Sequence, residues 1–278
     1  MAAIPDAVRQ LAEFPGTFGP DPPPESPVEK VYDGRFTAVL TVGPSAQMFE
    51  ALDLGDDVPG ALEAARELLR SRGRDRAVWF VTPSSRPVGL LEQLHECGLE
   101  IAKEPPWEPL FASMALLEPP DPGPDEVVAR PVAGFEEYLQ AAQLDEEVFG
   151  FPEEDRRAWE EHRRALWELQ ESGRSPVYIY VGYLDGELVG VGRSLRAAAG
   201  VNLSGGSVRP EARGRGVYRA LVRARWDDAV AWGTPALTVQ AGRMSRPVLE
   251  RLGFELIAEQ HCLIDRLTAA AGRRARLP

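Results

Sequence analysis

A run of prolines between Glu118 and Asp125 is the feature that most restricts how this 278-residue chain can fold. Four of these eight residues are proline, which fixes φ and lacks an amide hydrogen, so neither a helix nor a central strand can pass through them. A second proline-rich stretch, residues 14–27, predicts an irregular lead-in. The chain length suits one large domain or two small ones. We therefore expect a lead-in at 1–34, an N-terminal domain at 35–120 and a C-terminal domain at 121–278.

The apolar pattern after the proline run predicts a strand, two helices, three antiparallel strands, a helix, a strand, a helix and a strand. Asp185-Gly186 between two apolar runs is a strong hairpin signal. The second helix is expected to begin at Pro152, to end near Gly173 and to bury Trp159. The predicted strands are 126–132, 177–184, 188–195, 201–208, 236–241 and 254–267, and the other helices are 134–149, 217–232 and 246–252. Because the early strands lack helical crossovers, this is an α+β fold with a mixed, mainly antiparallel sheet flanked by helices.

Charge and composition narrow the function further. The net charge of −12 argues against a broad nucleic-acid surface. Residues 1–124 carry 20 acidic and 10 basic side chains and residues 125–278 carry 23 and 21, so the second half suits an anionic ligand better. No apolar stretch is long enough for a membrane span. Two cysteines are too few for a disulfide framework, so we expect a cytoplasmic protein. We expect no metal site, because the cysteines and the three histidines are scattered along the chain. Only two of the 31 basic residues are lysine, a bias typical of a GC-rich genome, and we expect a bacterial protein.

The most informative segment is Ser207-Val-Arg-Pro-Glu-Ala-Arg-Gly-Arg-Gly-Val-Tyr-Arg-Ala-Leu, which joins a predicted strand to a predicted helix. Glycines let the backbone approach a ligand, and the free amides at a helix start favour anions. Arg213 and Arg215 add positive charge beside those amides. The segment therefore predicts a pyrophosphate cradle, with an ordinary glycine turn as the alternative. It is neither a Walker loop nor a dinucleotide fingerprint.

These residues resemble the GNAT superfamily of N-acetyltransferases, whose acetyl-CoA loop reads Arg/Gln-x-x-Gly-x-Gly/Ala after a strand. Arg213 and Gly216 match its first two fixed positions. Downstream, Leu249-Glu-Arg-Leu-Gly-Phe254 resembles the second signature of the family, Tyr-x-x-Leu-Gly-Phe. The resemblance covers roughly residues 126–266.

The resemblance implies transfer of an acetyl group from acetyl-CoA to a primary amine of a small molecule or peptide. The strand ending at Val208 would pair with pantetheine, the amides of residues 214–218 would hold the pyrophosphate, and an amide near Val208 would polarise the thioester carbonyl. Ser245 would hydrogen-bond the cofactor arm. The full set expected to bind the cofactor is Ser207, Val208, Arg209, Arg213, Gly214, Arg215, Gly216, Val217, Tyr218 and Ser245.

Two departures from the family pattern affect the expected chemistry. The last Gly/Ala of the loop is Tyr218, whose side chain we expect to lie outward along the helix. The family's usual tyrosine, which protonates the leaving thiolate, is Leu249. Asn202 and Ser204, on the strand where the family often carries a carboxylate, and Glu187, after the hairpin turn, are weak candidates for a catalytic role.

Several alternatives remain open at this stage. The gaps at the catalytic positions also suit a non-catalytic acyl-CoA-binding or regulatory module. Transfer of an acyl group larger than acetyl is a further possibility. The family resemblance is compatible with a monomer or a homodimer.

A weak internal repeat suggests that the N-terminal half is a degenerate copy of the C-terminal half. Ser85-Arg-Pro-Val recurs as Ser245-Arg-Pro-Val, each after an apolar strand and before a Gly at 98 or 253. The spacing predicts a longer helix in the first copy. In this alignment residues 36–42 match the strand before the phosphate loop, and residues 43–47, Gly-Pro-Ser-Ala-Gln, replace the loop.

Overall fold

The computed structural model describes residues 3–44, 47–103 and 107–267. The N-terminal half forms α1 (Asp6–Glu13), α2 (Pro15–Phe18), β1 (Glu29–Tyr32), β2 (Phe36–Leu40), β3 (Met48–Ala51), α3 (Val58–Ser71), β4 (Arg76–Val81), α4 (Leu90–Glu96), β5 (Glu100–Ile101) and β6 (Leu110–Leu116). The C-terminal half forms β7 (Val127–Pro131), α5 (Phe135–Phe149), α6 (Glu153–Glu160), α7 (Arg163–Glu171), β8 (Val177–Leu184), β9 (Glu187–Ala197), β10 (Gly200–Val208), α8 (Val217–Ala231), β11 (Leu237–Ala241), α9 (Arg246–Arg251) and β12 (Glu255–Arg266). No described helix is long and apolar enough to cross a membrane.

The strands form one sheet in the order β1-β2-β3-β4-β12-β6-β11-β10-β9-β8-β7, with β5 paired to β12. Most neighbours are antiparallel, and the parallel pairs are β3/β4 and β10/β11. Helices cover both faces: α8 packs on β7–β10, while α5 and α7 cover the opposite face of β8 and β9. The predicted mixed, mainly antiparallel sheet flanked by helices is confirmed.

The two halves exchange their last strands. β6, from the N-terminal half, pairs with β11 from Leu237↔Leu116 to Ala241↔Ala112. β12, from the C-terminal half, pairs with β4 from His261↔Val81 to Arg266↔Arg76. β6 and β12 then pair with each other at the centre of the sheet. Each half is therefore completed by a strand of the other.

The two halves also repeat one order of elements. β2-β3-α3-β4-α4-β6 and β9-β10-α8-β11-α9-β12 each contain an antiparallel pair, a helix, a parallel strand, a short helix and the exchanged strand. The alignment expected from sequence was wrong by one strand, because β3, and not residues 36–42, pairs in parallel with β4. The loop equivalent to the arginine–glycine segment is therefore 52–57. Residues 43–47 instead belong to the segment between β2 and β3. Residues 45 and 46 lie outside the described residues.

Three local expectations need correction. α4 has 7 residues and α9 has 6, so the different spacing arises mainly in the loop before α4 and not in a longer helix. The lead-in contains α1, α2 and all of β1, and Val8 of α1 packs with Ala115 and Ala236. The helix expected at 152–173 is divided into α6 and α7, and this break leaves Trp159 half-buried while Trp167 is 7% exposed.

Candidate functional site

A slot opens between β10 and β11. These parallel strands pair only at Val201↔Leu237 and Asn202↔Thr238, although β10 continues to Val208 and β11 to Ala241. On its other side β10 stays paired with β9 through Val208, apart from an irregularity between Asn202 and Gly205. The sheet therefore separates at the level of this bulge, and one edge of β10 is left without a strand partner.

The backbone of β10 directs two amides toward the slot. The Arg209 amide donates to the Val189 carbonyl at 2.9 Å, so Arg209 directs its polar groups toward β9. Because this direction alternates along an antiparallel strand, Ser207 and Gly205 also face β9, whereas Gly206 and Val208 face the slot. An extended ligand lying along β10 would meet the N–H groups of Gly206 and Val208.

The slot ends at the N-terminus of α8. The residue preceding this helix is Gly216, at φ 82°, and no side chain caps the helix. The first helical amides, from Val217 onward, therefore lack an intrahelical acceptor and carry the positive end of the helix dipole. Gly214 is also in the left-handed region, at φ 79°, and a Cβ there would meet nothing within 4 Å.

Arg213 and Arg215 directly precede this helix start, and Arg209 lies on the α5 side of β10. Arg213 and Arg215 are exposed, and the Arg213 Nε donates to the Val208 carbonyl at 3.2 Å. Arg215 lies 3.2 Å from Asp185 of the β8–β9 turn, and Arg209 lies 3.7 Å from Glu147. The proline run packs against this helix start, because a Cβ on Gly216 would lie 2.4 Å from the Cδ of Pro124. The arrangement suits a ligand with an anionic group at the helix end and an extended arm along β10.

The acetyltransferase (GNAT) family model matches residues 137–254. Residues 137–254 form a GNAT domain. No curated protein matches the chain.

Solved structures share this fold over most of the chain. A GCN5-related N-acetyltransferase from Kribbella flavida has a TM-score of 0.64 at 18% identity, covering 95% of this chain and 96% of that chain. A tandem GNAT protein from the clavulanic acid biosynthesis pathway has a TM-score of 0.59 at 17% identity, covering 97% and 90%. A GCN5-related N-acetyltransferase from Sphaerobacter thermophilus has a TM-score of 0.61 at 15% identity, covering 84% and 78%. These similarities extend the fold beyond the GNAT domain itself.

Tyr218 is oriented differently from the sequence-based expectation. Its ring packs inward against Gly206, where a Cβ would lie 2.7 Å from the ring, and it joins the apolar clusters on both sides of the slot. The ring fills the space that the diverging strands and a side-chain-free Gly206 leave under the sheet. Burial raises the pKa of the Tyr218 phenol. The side chain therefore forms the floor of the slot and leaves its own amide accessible at the helix start.

Ser245 and Leu249, two positions that the family resemblance singles out, offer few polar groups to the slot. Ser245 is half-buried after β11, at the same end of the sheet as Val208, and its Oγ donates to the Gly242 carbonyl at 3.2 Å. Leu249, at the position of the family's usual tyrosine, is fully buried in the core beneath α8. The leucine therefore offers no proton at the slot.

The three catalytic candidates expected from the sequence lie on β10 and at the β8–β9 turn. The Asn202 amide donates to Thr238 Oγ1 at 3.1 Å and to Gln240 Oε1 at 3.2 Å, and Gln240 in turn donates to the Ala12 carbonyl of α1. Ser204 is exposed at the bulge. Glu187 is exposed at the β8–β9 turn. Their catalytic roles stay predictions.

A buried polar cluster beside the slot was missed from the sequence. Asp145 of α5 is 2% exposed and accepts a hydrogen bond from Ser207 Oγ at 2.8 Å. Its other carboxylate oxygen contacts the guanidinium of Arg193, whose backbone pairs with Gly205 at the bulge. The sequence indicates the burial of Asp145 only through helical spacing, since Asp145 follows Tyr138 and Ala141 on the buried face of α5. The cluster ties α5 to β9 and β10 on the face opposite α8.

Proposed function

We propose that this chain is an N-acetyltransferase that moves the acetyl group of acetyl-CoA to a primary amine of a small molecule or peptide. The observation that carries the proposal is the continuity of the slot with the uncapped N-terminus of α8. One edge of β10 offers strand-like amides, and the helix start offers amides suited to phosphate. We place the protein in the cytoplasm, as a monomer or homodimer.

The residues fit CoA in two parts. The N–H groups that face the slot, those of Gly206 and Val208, would bond the pantetheine arm as an added strand would, with Ser207 and Arg209 beside them. The pyrophosphate would lie against the amides of residues 214–218, with Arg213 and Arg215 beside them. Ser245, at the facing end of β11, is a further candidate for the arm. The combination of an extended amide edge and a cationic helix start is what this ligand needs.

In the proposed reaction the amine nitrogen attacks the thioester carbon, an N–C bond forms and the C–S bond breaks. The Gly206 or Val208 N–H would stabilise the negative charge that develops on the carbonyl oxygen. The ammonium proton goes to water, and the CoA thiolate takes its proton from water, because Leu249 has none to give. Asp145 is held by Ser207 and Arg193, so we assign it a structural role beside the acyl end of the slot.

A charge-matched pair at Gly214 tests the cofactor site. Asp and Asn tolerate the left-handed conformation similarly, and the position is open, so Gly214→Asp and Gly214→Asn differ mainly in charge. In calorimetric titration with CoA, Gly214→Asp should bind at least about tenfold more weakly than Gly214→Asn, a cost of about 1.4 kcal/mol. Equal affinities in the two variants would show that the pyrophosphate binds elsewhere.

A non-catalytic acyl-CoA-binding or regulatory module is the second candidate. It is favoured by the burial of Leu249 and by the amide network that occupies Asn202. A thiol-release assay with acetyl-CoA and a panel of primary amines separates the two. Sustained turnover with any amine excludes the module, whereas CoA binding without turnover across the panel favours it. Larger acyl-CoA donors in the same assay test the remaining possibility of a larger acyl group.

A further inference from the structure

Arg225, in the middle of α8, is a fully buried cation directly beneath the bulge of β10. Among the described residues no carboxylate forms an ion pair with it, and the neutral phenols of Tyr218 and Tyr180 lie near it. Burial lowers the pKa of this guanidinium. A buried charge without an ionic partner is costly, so its hydrogen bonds must compensate.

These hydrogen bonds go to backbone carbonyls. Arg225 Nε donates to Leu221 O at 2.9 Å within the helix, and Nη1 donates to Arg193 O at 3.2 Å and Gly205 O at 3.1 Å. Gly192 of β9 makes room for the guanidinium, because a Cβ there would lie 3.0 Å from Cζ. The side chain therefore connects α8 to both strands at the point where the sheet opens.

The Gly205 carbonyl and the Gly206 amide belong to one planar peptide group and point in opposite directions. With its oxygen held by Arg225, this peptide directs the Gly206 N–H toward the slot, in agreement with the strand alternation. Both flanking residues are glycine, so this peptide can rotate more easily than any other in β10. A fixed donor on the carbonyl side removes that freedom, and it also polarises the N–H.

We propose that Arg225 is a positioning residue that locks the Gly205–Gly206 peptide, so that the Gly206 N–H donates to the thioester carbonyl of the acyl donor. The inference rests on the proposed function, since it assumes an acyl thioester in the slot. It assigns the oxyanion-donor role to Gly206, and it assigns to Arg225 a contribution that does not require contact with the donor.

The test is isotope-edited infrared spectroscopy of acetyl-CoA carrying ¹³C at the thioester carbonyl, bound to the full chain. A hydrogen bond to this carbonyl lowers its stretching frequency relative to free acetyl-CoA. Arg225→Met should retain CoA affinity and lose most of the downshift. Arg223→Met is the matched control, because Arg223 also lies on α8 and donates to a backbone carbonyl, that of Pro120, away from the bulge. It should retain the full downshift.

Two further variants separate positioning from general destabilisation. Gly192→Ala keeps the guanidinium but crowds it, and should reduce the downshift even if Arg225→Met fails to fold. Gly205→Ala has space for its Cβ and restricts the peptide, so it should restore part of the downshift to Arg225→Met. With an amine substrate identified, Arg225→Met should lower kcat by up to about 100-fold with little change in KM, the lower end of the effect of losing one oxyanion donor.

The outcomes distinguish this inference from the function on which it rests. An unchanged downshift in Arg225→Met, or in Gly192→Ala if Arg225→Met does not fold, overturns the positioning role while the cofactor site stands. A wild-type chain that does not bind acetyl-CoA overturns the proposed function and this inference with it. Binding without any carbonyl downshift overturns the assignment of Gly206 as the donor.

Discussion

The two strand–loop–helix units of the molecule, β3-α3 and β10-α8, share their topology but differ in what their open ends can accept. In the C-terminal unit the parallel strands separate, and α8 starts without a cap. In the N-terminal unit the strand ends are joined: Ser85 Oγ donates to Ala51 O at 2.7 Å, and the Arg86 amide donates to Leu52 O at 2.7 Å. Among the described residues, the ends of β3 and β4 leave no comparable slot.

The helix starts differ in charge as well. The carboxylate of Asp57 accepts a hydrogen bond from the Gly60 amide at 2.9 Å and so occupies the start of α3 with a negative charge. The loop before α3 carries Asp53, Asp56 and Asp57, whereas the loop before α8 carries arginines. We propose that the N-terminal half is a degenerate copy whose own side chains replace the ligand's anion. The fold permits a cofactor site, and a few residues determine whether one exists.

The shared Ser-Arg-Pro-Val tetrapeptide shows the same divergence. Ser85 and Arg86 connect the loops after β3 and β4, whereas Ser245 bonds only locally to Gly242 at the start of α9. Identical residues therefore join two strands in one half and leave them apart in the other.

The largest expected effect is on folding, because the exchanged strands make each half depend on the other for its strand partners. A fragment of residues 121–278 lacks β4, β5 and β6, so β12 loses all of its described strand partners and β11 loses the partner on one side. We expect this fragment to be insoluble or to lack a cooperative unfolding transition by circular dichroism, and coexpression with residues 1–120 to restore a soluble complex. A fragment that is monomeric and unfolds cooperatively alone would show that each half folds independently.

The second prediction concerns stoichiometry. Because only the C-terminal unit has an open slot and an uncapped helix, calorimetric titration should give one CoA per chain. Gly214→Asp should weaken this binding without revealing a second site. Two equivalents bound to the wild-type chain would mean that the hydrogen bonds of Ser85 and Arg86 open on binding, and the contrast between the two units would fail.

The sequence predicted the C-terminal half well, because its signals are local. Asp185-Gly186 specifies a hairpin, and both residues have positive φ in the structure. The helix start at Val217 follows from the glycines before it. The strand exchange was not predictable, since the apolar pattern of β6 indicates a buried strand without naming its partner. The direction of the Tyr218 ring was also not predictable from local sequence. It depends on the space that Gly206, a residue of β10, leaves free because it has no side chain.

The third prediction uses the face of the sheet that α1 and α2 cover in both halves. Glu50 of β3 is buried and accepts hydrogen bonds from the Gly16 amide at 2.6 Å and the Thr17 amide at 2.7 Å, and burial raises its pKa to about 7. In the C-terminal half Asn202 and Gln240 occupy this face and are neutral. A carboxyl group with a raised pKa stabilises the fold most when protonated, so its contribution is lost as pH rises from about 4.5 to about 7.

The measurement is the free energy of unfolding against pH for the wild-type chain and Glu50→Gln. The difference between them, wild type minus variant, should fall by about 3 kcal/mol across this window. Asn202→Asp is the converse variant, because it adds a titratable carboxyl group to the same face of the C-terminal half, whereas Glu50→Gln removes one from the N-terminal half. Parallel profiles for wild type and Glu50→Gln would show that Glu50 is ionised without cost, and that the two halves do not differ in pH response.

The smallest expected effect concerns the cap that distinguishes the two helix starts. Asp57→Ala removes the acceptor for the Gly60 amide, and loss of such a cap costs about 1 kcal/mol of stability. Asp56→Ala is the matched control, since Asp56 is an exposed aspartate in the same loop and not the capping residue. Chemical denaturation should separate the two variants by about 1 kcal/mol while CoA stoichiometry stays at one in both, because the hydrogen bonds of Ser85 and Arg86 still close the slot. A second CoA bound by Asp57→Ala would instead make the aspartate, and not the joined strands, the reason that the N-terminal unit lacks a site.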